Sequence, residues 1–181
     1  IIITEQMNPN NDNIIKIPLY NDVPNGAPQT MPGMDAFDMG SDTGRGVANW
    51  LLNSDKIAAD IYNKVMAENE NKWPSQATAM CYSGSGDPFL NLVNSKPELD
   101  VKAVVLVGAP IKEERSIENS SLETVVTIYG EHDDIFFWNK KLRKNFNENT
   151  GSLFSNMPNS AKEIVIELKD IGHTNYFYDS L

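Results

Sequence analysis

A chain of 181 residues fits one domain, residues 1–181, and is long enough to bury a substantial core. Against 25 Asp and Glu stand 15 Lys and Arg, a formal charge of −10, so a nucleic-acid backbone would be repelled and is not an expected partner. No segment approaches the roughly 20 apolar residues that span a bilayer, and the single cysteine, Cys81, excludes an internal disulfide while saying little about compartment.

The chain opens on Ile1-Ile2-Ile3-Thr4, an apolar run that reads as an early strand. It has no starting methionine and no charged-then-apolar leader, which reads as a processed or excised piece of a longer polypeptide and leaves localisation open. Residues 14–19 read as a second strand, with Pro18 near its end suited to an edge or terminal position. Residues 21–46, rich in Pro, Gly and Asp, form the one long loop, and loops of that kind often line a site. Its Met31, Met34, Phe37 and Met39 fit an apolar flap over a site, or side chains that anchor the loop to the core. From Val47 onward, Trp50, Leu51, Ile57, Ile61, Val65 and Met66 recur at three- and four-residue steps, an amphipathic helix jogged at Asn53-Ser54-Asp55.

Residues 77–88 carry the strongest chemical signal. The apolar run Ala77-Thr78-Ala79-Met80-Cys81-Tyr82 breaks at Ser83-Gly84-Ser85-Gly86 and turns toward a helix start near Gly84. A serine at a sharp strand-to-helix turn needs small residues two before and two after it, and Cys81 and Ser85 stand there. The helix start aims backbone N–H groups at the same spot, so Gly84 is the candidate oxyanion donor. Residues 103–107 form a continuous apolar run, as a parallel strand covered on both faces requires. Only a short charged connection separates Pro110 from Thr124, too little for a cap domain, so an open site is expected.

Two later segments supply partners for Ser83. Val125-Val126-Thr127-Ile128-Tyr129 ends at Gly130-Glu131-His132-Asp133-Asp134, and Glu163-Ile164-Val165-Ile166-Glu167-Leu168 is followed by Lys169-Asp170-Ile171-Gly172-His173. Serine, acid and base thus each stand just past a strand, and in an open parallel sheet those ends converge on one edge. His132 is placed less well than His173 to serve Ser83, because its neighbour Asp133 would have to orient it from the same short turn. A metal centre at Glu131-His132-Asp133-Asp134 is not expected: four adjacent residues on one turn cannot all point inward, and helical ligand spacing is absent. Cys81, inside the strand, reads as a buried small apolar group rather than a nucleophile.

With these residues in hand, the chain resembles the α/β-hydrolase family, and within it the small capless lipases and esterases. The resemblance runs from about Ala77 to the end and rests on Cys81-Tyr82-Ser83-Gly84-Ser85, Val107-Gly108-Ala109-Pro110, Ile128-Tyr129-Gly130-Glu131-His132-Asp133 and Ile171-Gly172-His173. The family's elbow usually has Gly or Ala where this chain has Cys81, and Gly where it has Ser85; its His-Gly pair after an early strand is missing. Backbone N–H groups at residues 5–7 are then the candidates for a second oxyanion donor. The resemblance implies a minimal three-layer α/β sandwich with a mostly parallel central sheet, a Ser83–His173–Asp133 triad, and no cofactor or metal. Asp133 is preferred to Asp134 because the family's acid stands three residues past the glycine, here Gly130.

The implied activity is hydrolysis of a carboxylic ester, lipid-like or of a small acyl group, through an acyl-enzyme. Aromatic clusters after the acid (Phe136, Phe137, Trp138) and after the base (Tyr176, Phe177, Tyr178) would welcome an acyl chain, or else pack on the sheet. A thioesterase, acyltransferase or peptidase would use the same triad, and a hydrolase-like module that binds an acyl ligand or partner without turnover is the reading of a different class.

Overall fold

The computed structural model describes residues 1–4, 14–16, 53–111, 115–136, 153–173 and 175–177. Six strands form one sheet: β1 (Ile2–Thr4), β2 (Ile14–Lys16), β3 (Ala77–Tyr82), β4 (Val101–Val107), β5 (Thr124–His132) and β6 (Lys162–Gly172). They lie in the order β2-β1-β3-β4-β5-β6. From β3 to β6 each strand pairs in parallel with the next, while β1 runs antiparallel to both β2 and β3. Helices α1 (Ser54–Glu68) and α2 (Gly86–Ser95) complete an α/β architecture. No helix among the described residues is long and apolar enough to cross a membrane.

The local sequence explains these elements. In β3, Ala77, Ala79 and Cys81 are buried and alternate with half-buried Thr78, Met80 and Tyr82, the period-two pattern of a strand. β4 sits between β3 and β5 with Val101, Val104, Leu106 and Val107 in the core. The α1 stripe Ser54, Ala58, Ile61 and Val65 recurs at three- and four-residue spacing and is buried, and α1 packs on α2. Glu70 and Asn71 both adopt left-handed backbone just past α1, and the Asn71 N–H returns to the Met66 carbonyl at 2.7 Å, which ends the helix. Pro88 falls in the first turn of α2, where a missing N–H costs nothing.

Several expectations need adjustment. The helix expected from Val47 is described from Ser54, directly after the expected jog at Asn53; residues 47–52, like the loop at 21–46, lie outside the described residues. The helix start expected near Gly84 is a 3-10 turn over Ser83–Ser85, and the α-helix proper begins at Gly86. Both late strands run further than their β-branched cores. Gly130 pairs with Leu168 but His132 pairs with Gly172, so β6 bulges by two residues against β5, with Asp170 in left-handed backbone at φ 58°. Gly130 permits the bulge, because a Cβ there would stand 2.1 Å from the Ile171 carbonyl oxygen. Among the described residues β2 and β6 are the two edges of the sheet; Pro18, on which the edge or terminal reading of the second strand rested, lies outside them.

Candidate active site

The four parallel strands deliver their C-terminal ends to one side. Tyr82 is level with Val107, and Val107 with Ile128, so Ser83 and Gly108 leave the sheet side by side. β5 and β6 continue past that level before turning back. The Asp133 N–H closes a turn onto the Gly130 carbonyl at 3.1 Å, and residues 134–136 begin a helix. After β6, the Asn175 N–H bonds the Gly172 carbonyl at 3.1 Å, a turn that carries His173 and Tyr176 together.

Ser83, His173 and Asp133 form one hydrogen-bonded chain. Ser83 Oγ lies 2.8 Å from His173 Nε2, and His173 Nδ1 lies 2.9 Å and 3.0 Å from the two Asp133 oxygens. An ionised carboxylate can only accept, so the imidazole proton belongs on Nδ1 and Nε2 is left to accept from the serine hydroxyl. Asp133 is 0% exposed, Ser83 2% and His173 9%. The site is therefore more enclosed than the short β4–β5 connection suggested.

Ser83 sits at φ 54°, left-handed backbone that disfavours any side chain, and the strain is held by the turn around it. The Gly86 N–H bonds the Ser83 carbonyl, and the Ser85 hydroxyl donates to the Tyr82 carbonyl at 2.7 Å. That bond satisfies a buried hydroxyl, so a serine fits where a glycine was expected. The close pass of helix and strand falls at Gly86 rather than Ser85: a Cβ on Gly86 would lie 2.7 Å from the Ala109 Cβ and 3.2 Å from Leu106 and Ile111. Gly84, buried beside Ser83, presents the first N–H after the hydroxyl, in a turn whose leading N–H groups find no helical carbonyl.

The other predicted residues fall as follows. Asp134 and His132 are exposed, and His132 Nε2 faces Asp170 Oδ1 at 3.9 Å, outside the Ser83 chain. Among the described residues the one group of potential metal ligands is Glu131, His132 and Asp170, on the surface; Asp133 turns inward, away from it. Cys81 is fully buried and burial pushes its thiol up to about 12, so it stays protonated at neutral pH. The donors proposed at residues 5–7 lie outside the described residues; β1 pairs Thr4 with Thr78, so it leaves β3 at the end remote from Ser83.

Three residues around the chain were named in the sequence without the hydrogen-bonding and spacing roles they hold here. Tyr82 stacks on the His173 ring, centroids 5.4 Å apart, and donates its hydroxyl to the His173 carbonyl at 2.6 Å. Tyr176 donates its hydroxyl to Asp133 Oδ2. Gly108, at φ 53°, leaves the space both need: a Cβ would fall 2.6 Å from the Tyr176 ring and 2.7 Å from Asp133 Oδ2. Of the aromatic clusters, Phe136 is buried and stacks on Tyr129, Phe177 is 54% exposed and edge-on to Tyr82, and Phe137, Trp138 and Tyr178 lie outside the described residues.

A nearby buried ion pair braces the turn. Asp87, in the first turn of α2, accepts from Arg115 Nε at 3.1 Å and Nη2 at 2.8 Å, and from the Ser54 hydroxyl at 2.9 Å. It joins the starts of both helices to the segment that follows β4. Comparison of the chain with protein-family models, with curated proteins and with solved structures finds no match.

Proposed function

We propose that the chain is a serine carboxylester hydrolase of the capless α/β-hydrolase type. The observation that carries the reading is the unbroken Ser83–His173–Asp133 hydrogen-bond chain, anchored on a serine at φ 54° between a strand and a helix. Fold alone would support many chemistries.

In this mechanism Ser83 Oγ attacks the acyl carbonyl carbon as its proton passes to His173 Nε2. The carbonyl oxygen becomes an oxyanion beside the Gly84 N–H. Collapse breaks the ester C–O bond, His173 returns the proton to the departing alcohol, and an acyl-Ser83 ester remains. Water then attacks the acyl carbon, giving a proton to His173; collapse breaks the acyl–Oγ bond, His173 returns that proton to Ser83 Oγ, and the acid leaves. Asp133 holds the tautomer and stabilises the imidazolium. The exposed Phe177 beside Tyr82 offers an apolar surface to the acyl or leaving group, which favours lipid-like or small acyl esters over charged substrates.

The test is hydrolysis of p-nitrophenyl esters of graded chain length, with acyl thioesters in parallel. The proposal expects ester turnover with an initial burst of nitrophenol, lost in Ser83→Ala. Turnover of thioesters alone would reassign the leaving group, and no turnover by folded protein would replace catalysis with acyl-ligand binding.

A further inference from the structure

Asp133 has more partners than the chain to His173 requires. Oδ1 accepts the Phe136 N–H at 2.9 Å, and Oδ2 accepts the Tyr176 hydroxyl. That hydroxyl in turn accepts the Gly130 N–H at 2.7 Å. A backbone N–H can only donate, so the phenol oxygen accepts there and its single proton must point to the carboxylate. Burial first, and the adjoining carboxylate second, push the phenol above its ordinary range, which keeps that proton on oxygen.

The placement of Tyr176 is over-determined. It sits three residues after His173 on the turn closed by Asn175 and Gly172, so one segment carries the base and a donor to the acid. Its ring meets the His173 ring edge-on at 6.4 Å and occupies space that any side chain at residue 108 would fill. Its second bond holds Gly130, the residue whose carbonyl closes the Asp133 turn.

We propose that Tyr176 is a positioning residue that extends the Ser83–His173–Asp133 chain by one member, keeping Asp133 aimed at His173 Nδ1. The proposal rests on the triad reading for its effect on rate, but the hydrogen bond itself can be tested without turnover.

The experiment compares the parent with Tyr176→Phe, which keeps the ring, and Tyr176→Leu, which removes it. Proton spectra are recorded for the low-field His173 Nδ1–H signal, identified by its loss in His173→Ala. Loss of the phenol donor leaves Asp133 a stronger acceptor, so in Tyr176→Phe the signal moves further downfield. Ester kcat falls about tenfold with KM within about twofold, the scale of one charge-assisted hydrogen bond. A folded Tyr176→Phe with the parental Nδ1–H signal overturns the proposal, as does a parental kcat in Tyr176→Phe with only Tyr176→Leu impaired, which would make the ring a packing element. A shifted signal in a protein whose parent turns over no ester supports the positioning role and rejects ester hydrolysis instead.

Discussion

Ser83 at φ 54° makes a prediction whose sign is opposite to ordinary protein behaviour. At most positions Gly is less stable than Ala by about 0.4–1 kcal/mol, because the unfolded Gly chain is freer. At left-handed backbone an L side chain costs roughly 1–2 kcal/mol that glycine does not. Ser83→Ala and Ser83→Gly both delete the 2.8 Å bond to His173 and both leave Nε2 without it, so that loss cancels in the comparison. At the middle of both ranges the remainder favours Gly by about 0.8 kcal/mol. For a chain of this length, 1 kcal/mol is about 2–4 °C in Tm, so Ser83→Gly should melt about 1–4 °C above Ser83→Ala. Thermal and denaturant unfolding of the two variants, side by side, reads the difference. An Ala variant more stable than the Gly variant would refute the strained-turn account.

Four other outcomes follow from the structure, one of them a control. Gly108→Ala places a Cβ within 2.7 Å of Asp133 Oδ2 and closer still to the Tyr176 ring, so ester turnover falls and stability drops by about 1–2 kcal/mol. Gly172→Ala, whose Cβ would meet nothing nearer than the His132 carbonyl at 3.7 Å, is the control and keeps parental activity. Asp87→Ala strands the Arg115 guanidinium, largely buried, and lowers stability by about 3 kcal/mol, or some 6–12 °C in Tm, measured by thermal unfolding. Cys81 is held above its unfolded value, so its contribution is whole below about pH 9 and fades as pH rises toward 12. The stability advantage of the parent over Cys81→Ala should therefore shrink across that window by on the order of 1 kcal/mol per pH unit, followed by denaturant unfolding at each pH.

The parts of the fold legible in sequence are those where a local pattern has one solution. Residues 77–82 alternate because β3 is buried on one face and half-buried on the other, residues 103–107 run apolar in β4 between β3 and β5, and both signals survive without tertiary information. Ser83, Asp133 and His173 were legible for the same reason: each follows such a strand. The direction of β1 was not, because three apolar residues carry no record of which way they pair, and that direction moves Thr4 away from the site. The bulge that lengthens β6 depends on a contact between Gly130 and Ile171 across strands, which no single segment encodes. Tyr82 and Tyr176 read as generic aromatics because their hydroxyl partners, the His173 carbonyl and the Asp133 carboxylate, are distant in sequence. Gly108 was the available hint, a glycine at a strand end beside the serine turn, whose need for φ 53° emerges only with its neighbours in place.

The central claim is that Ser83 is an activated nucleophile served by His173. Labelling with a fluorophosphonate probe tests it most directly, since the reagent forms a bond with an activated serine hydroxyl without requiring the natural substrate. The account predicts stoichiometric labelling of the parent at Ser83, none in Ser83→Ala, and near-complete loss in His173→Ala with the fold intact. A folded parent that does not label, or a His173→Ala variant that labels as fast as the parent, would contradict it.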